Sequence, residues 1–203
     1  MTAKTNPSSE KTSSFGSAMW ELVRFAIIAL IIVIPIRMFI AEPVSVEGTS
    51  MVPTFQDKDY LIVDEISYVF NDPDRGDVIV FEFPGTERKL GHGRLLIKRV
   101  IGLPSETVTL KNNVVTITNN DHPQGFVLDE PYLDNSVITS GAITTILGDD
   151  EYFVMGDNRP HSSDSRSWGS LHQRAIVGRA MLRMYPFQNF SFLPGHLRKY
   201  STE

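Results

Sequence analysis

The chain has 203 residues, of which 41% are hydrophobic and 21% are charged, and it contains no cysteine. This length suits one ordinary domain with an appendage, and the composition excludes a collagenous or wholly disordered chain. The lack of cysteine excludes disulfide frameworks, thiol nucleophiles and cysteine-based zinc sites. Nineteen basic and 24 acidic residues give a formal charge of −5, which argues against nucleic acid as a partner.

An apolar stretch lies near the N-terminus. Residues 25–36 carry no charge, and the 22 positions from Trp20 to Ala41 are about what a helix needs to cross a bilayer. We therefore predict a transmembrane anchor over residues 19–41, with Arg37 reaching the lipid headgroups. A cleavable secretory signal is the alternative, but no small-x-small cleavage site follows the apolar stretch.

The charges around this stretch predict its orientation. Lys4, Lys11 and Arg24 lie at its N-terminal side, whereas acidic residues dominate the twenty positions after it. The positive-inside rule places a disordered tail, residues 1–18, in the cytoplasm. Residues 42–203 then lie outside the cytoplasmic membrane, to which the chain is held by a single span.

The remainder of the chain alternates in the manner of β-strands. β-Branched and aromatic runs of strand length occupy residues 60–66, 77–83, 94–102, 107–120 and 151–157, with a further candidate at 174–185. Turn residues separate them, and Lys111-Asn112-Asn113 predicts a tight hairpin. The predicted fold class is mainly β, an antiparallel domain in which residues 105–150 form a smaller β insertion. No role is predicted for the turn-rich part of that insertion, 119–150.

Most of the polar residues show no catalytic pattern. The five histidines lack metal-ligand spacing, and the glycines do not form a phosphate loop between a strand and a helix. Neither a metal nor an organic cofactor is therefore expected.

Lys98 and Ser50 are candidates for a base and a nucleophile. Alternation places Lys98 on one strand face with Leu96 and Val100, where loss of hydration would lower its pKa and free a neutral amine. Ser50 follows Gly48 in a turn that could expose its hydroxyl. Considered singly, the favoured interpretations are an edge-strand lysine that discourages aggregation and an ordinary turn serine.

Five short sequence motifs, called boxes below, favour the catalytic interpretation of Ser50 and Lys98 over the structural one. In chain order they are S-M-x-P-T from Ser50, D-x-L-I-V-D from Asp59, R-G-D-V-I-V-F from Arg75, K-R-V-I-G-L-P from Lys98 and G-D-N-R-x-x-S-x-D-S-R from Gly156. In these boxes, which span residues 48–169, and in its N-terminal anchor the chain resembles bacterial type I signal peptidases. Five boxes in one order are far more specific than any single box.

The resemblance implies a Ser/Lys dyad on a β fold, with Ser50 as nucleophile and Lys98 as general base. It implies that Ser162 hydrogen-bonds and orients the lysine ammonium. It also implies supporting residues that brace the site, which are Arg99, Asp157, Asn158, Arg159, Asp164 and Arg166. For any one of these charged residues, a solvated turn is the alternative.

Three positions depart from the family pattern. Gly48 stands where many members have a serine or threonine whose hydroxyl completes the oxyanion hole, so another donor must act with the Ser50 N–H. Ser105 replaces a glycine, and we expect mild strain there if its φ is positive. Pro160 and His161 replace the common Asp-Asn pair, which argues against a side-chain role for them.

The implied function is that of a membrane-anchored serine endopeptidase. It would remove N-terminal signal peptides from exported preproteins after an Ala-x-Ala-like motif, with preproteins and membrane lipid as partners. A Ser/Lys protease with other substrates, such as the self-cleaving SOS-repressor type, is disfavoured by the anchor and the acidic charge. A catalytically silent anchored β domain that scaffolds envelope proteins is the alternative from another class. The sequence predicts no oligomeric state.

Overall fold

The computed structural model describes residues 15–39, 42–83, 94–134 and 136–196. The chain divides into two compact units after Phe39. The first contains one helix, α1, over Phe15–Phe39. This helix includes residues 15–18, which were predicted to belong to the tail, whereas residues 1–14 lie outside the described part of the chain.

Residues 16–31 of α1 are all exposed. Within the described residues, no helix has both the length and the apolar character that a membrane crossing requires.

The second unit contains twelve strands among the described residues. In chain order they are β1 (Glu42–Ser45), β2 (Tyr60–Asp64), β3 (Val78–Glu82), β4 (Leu95–Gly102), β5 (Thr107–Lys111), β6 (Val114–Thr118), β7 (Phe126–Val127), β8 (Ile143–Ile146), β9 (Glu151–Met155), β10 (Leu171–His172), β11 (Ile176–Tyr185) and β12 (Ser191–Phe192). Two single-turn helices, α2 (Ser67–Phe70) and α3 (Ser165–Trp168), interrupt them. Short 3-10 turns cover Arg159–His161, Gln173–Ala175 and Phe187–Asn189.

The strands form two antiparallel sheets. The larger has the order β1-β2-β11-β3-β4-β9-β10, with β12 paired to β11, and the smaller has the order β7-β6-β5-β8. Each predicted run contains a strand, and the fold class is mainly β with antiparallel sheets. Five short strands lie outside the predicted runs, which are β1, β7, β8, β10 and β12.

The tight hairpin joins β5 and β6. Asn112 and Asn113 have φ angles of 51° and 64°, which are the left-handed values that a two-residue hairpin turn of this kind needs. Ser105 also has a positive φ, 64°, so a serine occupies a conformation that costs an L-residue about 1 kcal/mol. The strain expected at Ser105 is therefore present.

Strand β4 is an interior strand of the larger sheet and supplies Lys98 and Arg99 of the site. It pairs with β3 along Leu95–Arg99, whereas β9 pairs with it only from Arg99 onward. Leu96 and Val100 pack into a buried cluster with Ile79, Phe81 and Val154. A second cluster, with Ile101 and Met155, joins the smaller sheet to the larger one.

Candidate active site

Ser50 lies in the loop that connects β1 to β2. Buried Met51 and Phe55 anchor this loop in the core, and the Phe55 N–H donates to the Met51 carbonyl at 2.9 Å. Gly48 has a φ of 89°, a conformation that glycine adopts without steric cost. The loop thereby presents the half-buried Ser50 hydroxyl toward β4.

The side chain of Lys98 meets that hydroxyl. Its Nζ lies 2.8 Å from Ser50 Oγ and 2.8 Å from the Ile97 carbonyl oxygen, and the side chain is almost fully buried with 2% exposure. Burial lowers the pKa of Lys98 to about 8, an effect to which the Arg94 charge adds and which the Asp164 and Asp157 charges oppose. An amine with this pKa is partly neutral near pH 7, so it can accept a proton from a hydroxyl.

Ser162 lies close to Ser50 but does not make the predicted bond to Lys98, whose Nζ contacts Ser50 Oγ and the Ile97 carbonyl. The Ser162 Oγ is buried, and a hydrogen bond from Ser162 helps to lower the pKa of Asp164. Ser162 packs against Gly156, where a Cβ would clash with both the Ser162 hydroxyl and the Ser50 carbonyl oxygen. The orienting role of Ser162 stays a prediction.

Arg99 and Asp157 form a buried pair behind the dyad. Arg99 donates from Nε at 2.8 Å and from Nη2 at 2.6 Å to the two Asp157 carboxylate oxygens, and neither side chain is exposed. Thr54 Oγ1 donates to the same carboxylate at 2.5 Å. The pair therefore ties β4 to the loop that carries Ser50.

Asn158 fastens that loop from the other side. Its backbone N–H donates to the Ser50 carbonyl at 3.0 Å, and its side-chain amide donates to the Thr49 carbonyl at 2.9 Å. Two bonds from one residue fix the peptide groups on both sides of Ser50. The supporting role of Asn158 stays a prediction, and these two bonds give it a definite geometry.

Asp164 and Arg166 form a second bidentate pair. Arg166 Nε and Nη2 each donate to Asp164 at 2.8 Å, and the Gly156 N–H donates to the same carboxylate at 3.1 Å. Burial would raise the pKa of Asp164, but the hydrogen bonds and charge of Arg166 lower it below its ordinary value. The carboxylate remains ionised and holds the segment from Gly156 to Arg166 in place.

Arg159 extends these contacts to residues that the sequence did not single out. Its guanidinium forms an ion pair with Glu130 and donates to Thr139 Oγ1 at 2.9 Å. The Tyr132 ring lies 3.9 Å from the Arg99 guanidinium and 6.0 Å from that of Arg159, within the range of cation–π attraction. A role for residues 119–150 therefore emerges, since Glu130, Tyr132 and Thr139 all contact the supporting arginines.

These contacts decide between the two interpretations of the charged residues. Arg99, Asp157, Arg159 and Asp164 are at most 1% exposed, so the alternative of a solvated charged turn is wrong for them. Buried charges require partners, and each of these four has one. The described residues include no group of three or more histidine or carboxylate side chains that could hold a metal ion.

The backbone N–H groups near Gly48 are the candidate donors to an oxyanion. The Gly48 N–H donates to Asp57 Oδ1 at 2.8 Å, so it is already engaged. No acceptor among the described residues takes the Ser50 N–H. The Ser50 N–H is therefore the available donor for negative charge that develops beside Ser50 Oγ.

An open cavity of about 440 Å³ ends at the dyad. It is lined by β1 and the following residues, Pro43–Glu47, and by Arg94–Lys98, with Leu61 and Val80 between them. β1 is an edge strand, and Leu95–Lys98 of β4 have no partner strand opposite β3 among the described residues. Two free strand edges thus border the same apolar cavity.

The chain is similar to proteins of known classification over most of its length. A family model described as "Signal peptidase, peptidase S26" matches residues 19–185. A probable signal peptidase I-1 of Synechocystis sp. is 34% identical over 187 residues, which cover 86% of this chain and 92% of that protein. A signal peptidase I of Leptolyngbya laminosa is 38% identical over 173 residues, covering 84% and 81% respectively. A crystal structure of a signal peptidase I from Enterococcus faecalis V583 is 30% identical, covers 54% of this chain and 97% of that chain, and has a TM-score of 0.42.

The extent of these matches defines the class of the protein, which is a serine endopeptidase and therefore a hydrolase. The family model alone spans well over half of the chain. The chain belongs to the signal peptidase family, peptidase S26. The resemblance inferred from the five sequence boxes is confirmed.

Proposed function

We propose that this protein removes N-terminal signal peptides from exported preproteins, with Ser50 as the nucleophile and Lys98 as the general base. The observation that carries the proposal is the 2.8 Å contact between Lys98 Nζ and Ser50 Oγ. The amine is buried and has a pKa of about 8. An unassisted serine hydroxyl is a weak nucleophile, and a neutral amine at hydrogen-bond distance supplies the base it needs.

The first half of the reaction forms an acyl-enzyme. Neutral Lys98 Nζ accepts the hydroxyl proton while Ser50 Oγ bonds to the scissile carbonyl carbon, whose oxygen becomes an oxyanion. The Ser50 N–H donates to that oxyanion. Collapse of the tetrahedral intermediate breaks the C–N bond, and the Lys98 ammonium returns its proton to the leaving amine.

The second half releases the signal peptide. Lys98 is neutral again and deprotonates a water molecule that attacks the ester carbonyl. The second tetrahedral intermediate expels Ser50 Oγ, which recovers its proton from Lys98. Through both halves the Arg99–Asp157 pair and Asn158 hold the nucleophile loop at a fixed distance from β4.

An extended peptide is the substrate shape that fits the apolar cavity. The free edges of β1 and of Leu95–Lys98 both border it, so a peptide strand could take main-chain hydrogen bonds from either. Successive side chains of a strand point to opposite sides. Residues one and three before the cleaved bond therefore face the same way, into shallow apolar surroundings, which accounts for an Ala-x-Ala-like motif.

The α1 helix supports membrane anchorage. Large apolar side chains such as Phe25, Ile27, Leu30 and Ile31 are half or more exposed on it, and an apolar helix surface of this extent is stabilised by hydrocarbon rather than by water. We place residues 19–41 as a single span, with the N-terminus in the cytoplasm and residues 42–203 outside. The site would then lie on the side to which preproteins are exported.

A preprotein cleavage assay tests the function. Detergent-solubilised full-length protein should release a fragment whose N-terminus follows the Ala-x-Ala motif, Ser50→Ala should not, and Ser140→Ala, an exposed serine, should match the wild type. Absence of cleavage by the wild type would favour the silent scaffolding alternative. Equal cleavage after Leu-x-Leu and Ala-x-Ala would instead favour a Ser/Lys protease with other substrates.

A further inference from the structure

A second cavity adjoins the first at the dyad. Its volume is about 250 Å³, and its lining shares Glu47, Ser50, Arg94, Leu96 and Lys98 with the apolar cavity. The residues that line only the second cavity include the polar side chains of His161 and Ser163. We call this space the mature-side cavity and define it by the residues Glu47–Ser50, Phe83, Arg94, His161 and Ser163.

The position of the dyad determines which part of a substrate reaches each cavity. A scissile carbonyl at Ser50 Oγ divides the peptide at the junction of the two spaces. If the residues before the bond follow the apolar cavity, an extended chain carries the next residues into the other cavity at about 3.3 Å per residue. Two residues span about 7 Å, so the first two residues after the bond lie within it.

The charges around the mature-side cavity favour an anion. Arg94 is exposed, and no carboxylate of a described residue lies within ion-pair distance of it. Its charge reaches Lys98, whose pKa it helps to lower. Lys98 is neutral when it acts as the base, so Arg94 is the permanent cation of this lining, and the one carboxylate of the lining, that of Glu47, forms no ion pair with it.

We propose that the mature-side cavity binds the first two residues after the cleaved bond, and that Arg94 selects an acidic side chain at one of them. The proposal rests on the proposed function and adds a determinant of substrate choice that lies on the product side of the bond. Strand alternation means that only one of the two positions faces Arg94. Because Arg94 is exposed, its attraction for a carboxylate is modest and decreases with salt.

The test compares preproteins that differ in one residue. The four substrates have Glu or Lys at the first or at the second residue after the cleaved bond. For each of them, kcat/KM is measured with detergent-solubilised full-length protein. At one of the two positions the wild type should prefer Glu over Lys by about two- to fivefold. Arg94→Gln should bring this ratio close to one, and Arg94→Glu should invert it.

A matched control separates a local effect from net charge. Arg174→Glu makes the same charge change at an exposed residue that lines neither cavity, and its ratio should equal that of the wild type. Arg94 also affects the pKa of Lys98, but this changes kcat/KM for the Glu and the Lys substrate by the same factor. The effect therefore cancels in their ratio. The proposal is overturned if the Glu-to-Lys ratio of kcat/KM is the same for wild type and Arg94→Glu at both positions. As long as these proteins still cleave the substrates, that outcome leaves the proposed function intact. Failure to cleave any of the substrates contradicts both.

Discussion

Lys98 and Arg99 are neighbours on β4 that are both almost fully buried, yet only Arg99 is paired with a carboxylate. Arg99 shares two hydrogen bonds with Asp157, whereas Lys98 Nζ contacts a hydroxyl and a backbone carbonyl. An ammonium without a paired carboxylate is destabilised by burial. Adjacent positions of β4 thus hold Arg99, which stays charged in its ion pair, and Lys98, which can lose its proton.

The first prediction concerns the base itself. Lys98→Arg should lower kcat/KM by at least about a thousandfold, because a guanidinium does not lose its proton at workable pH. Ser50→Ala should have a similar effect, and the double variant should be little worse, since the two residues act as a unit. Exposed Lys111→Arg is the control. Near-normal cleavage by Lys98→Arg would exclude Lys98 as the base.

The second prediction is the pH profile. The amine is active when neutral, so kcat/KM should rise about tenfold per pH unit below pH 8 and level off above it. Arg94→Gln removes a nearby positive charge that lowers the pKa of Lys98. The rising limb should therefore move to higher pH in this variant. The control Arg174→Gln should leave the pH of the rising limb unchanged. If the limb also stays in place in Arg94→Gln, it reports the titration of a group other than Lys98.

The third prediction concerns the buried pair. Asp157→Asn removes the carboxylate charge to which the buried Arg99 guanidinium donates twice, and breaking such a buried pair costs about 3–5 kcal/mol. The thermal unfolding midpoint of the solubilised protein should fall by at least about 6 °C, whereas exposed Asp121→Asn should leave it unchanged. The double variant Arg99→Met/Asp157→Leu should cost less than the sum of the single ones. An unchanged midpoint in Asp157→Asn would remove the structural role assigned to the pair.

The fourth prediction concerns residue 48. A Cβ there meets open space, but the φ of 89° strains any other L-residue by about 1 kcal/mol. Gly48→Ala and Gly48→Ser share that strain and differ only in a hydroxyl. If a side-chain donor completes the oxyanion site, kcat of Gly48→Ser should exceed that of Gly48→Ala by about tenfold or more. Equal kcat values would show that the hydroxyl contributes nothing here.

The fifth prediction is the topology of the chain. Because the protein has no cysteine, single cysteines report location without background. A membrane-impermeant maleimide should label Asp121→Cys in intact spheroplasts and Thr5→Cys only after permeabilisation. The reverse pattern would contradict an external catalytic domain.

Local patterns in the sequence predicted much of the larger sheet. β3 and β4 are long apolar runs between turn residues. Alternation placed Lys98 between Leu96 and Val100, which allowed a desolvated lysine, but only the family resemblance favoured this over an edge-strand lysine. β1 escaped prediction because it has only four residues and contains Pro43, which is tolerated on an edge strand. Its absence from the prediction also hid one wall of the apolar cavity, which Pro43, Val44 and Ser45 of β1 supply.

The contacts of the insertion could not be predicted in this way. Glu130 and Arg159 are 29 residues apart, and a pairing over that distance depends on the fold rather than on any local spacing. The same applies to the Tyr132 ring beside Arg99.

The separation between Ser50 and Lys98 has a consequence for biosynthesis. The two residues are 48 positions apart, and their contact requires β4 to be paired in the sheet and the loop that carries Ser50 to be packed in the core. In a chain that has not yet folded, the lysine is hydrated and protonated. On the proposed mechanism, folding is therefore the activation step that removal of a propeptide provides in a zymogen, and the nascent chain has no proteolytic activity until β4 has paired.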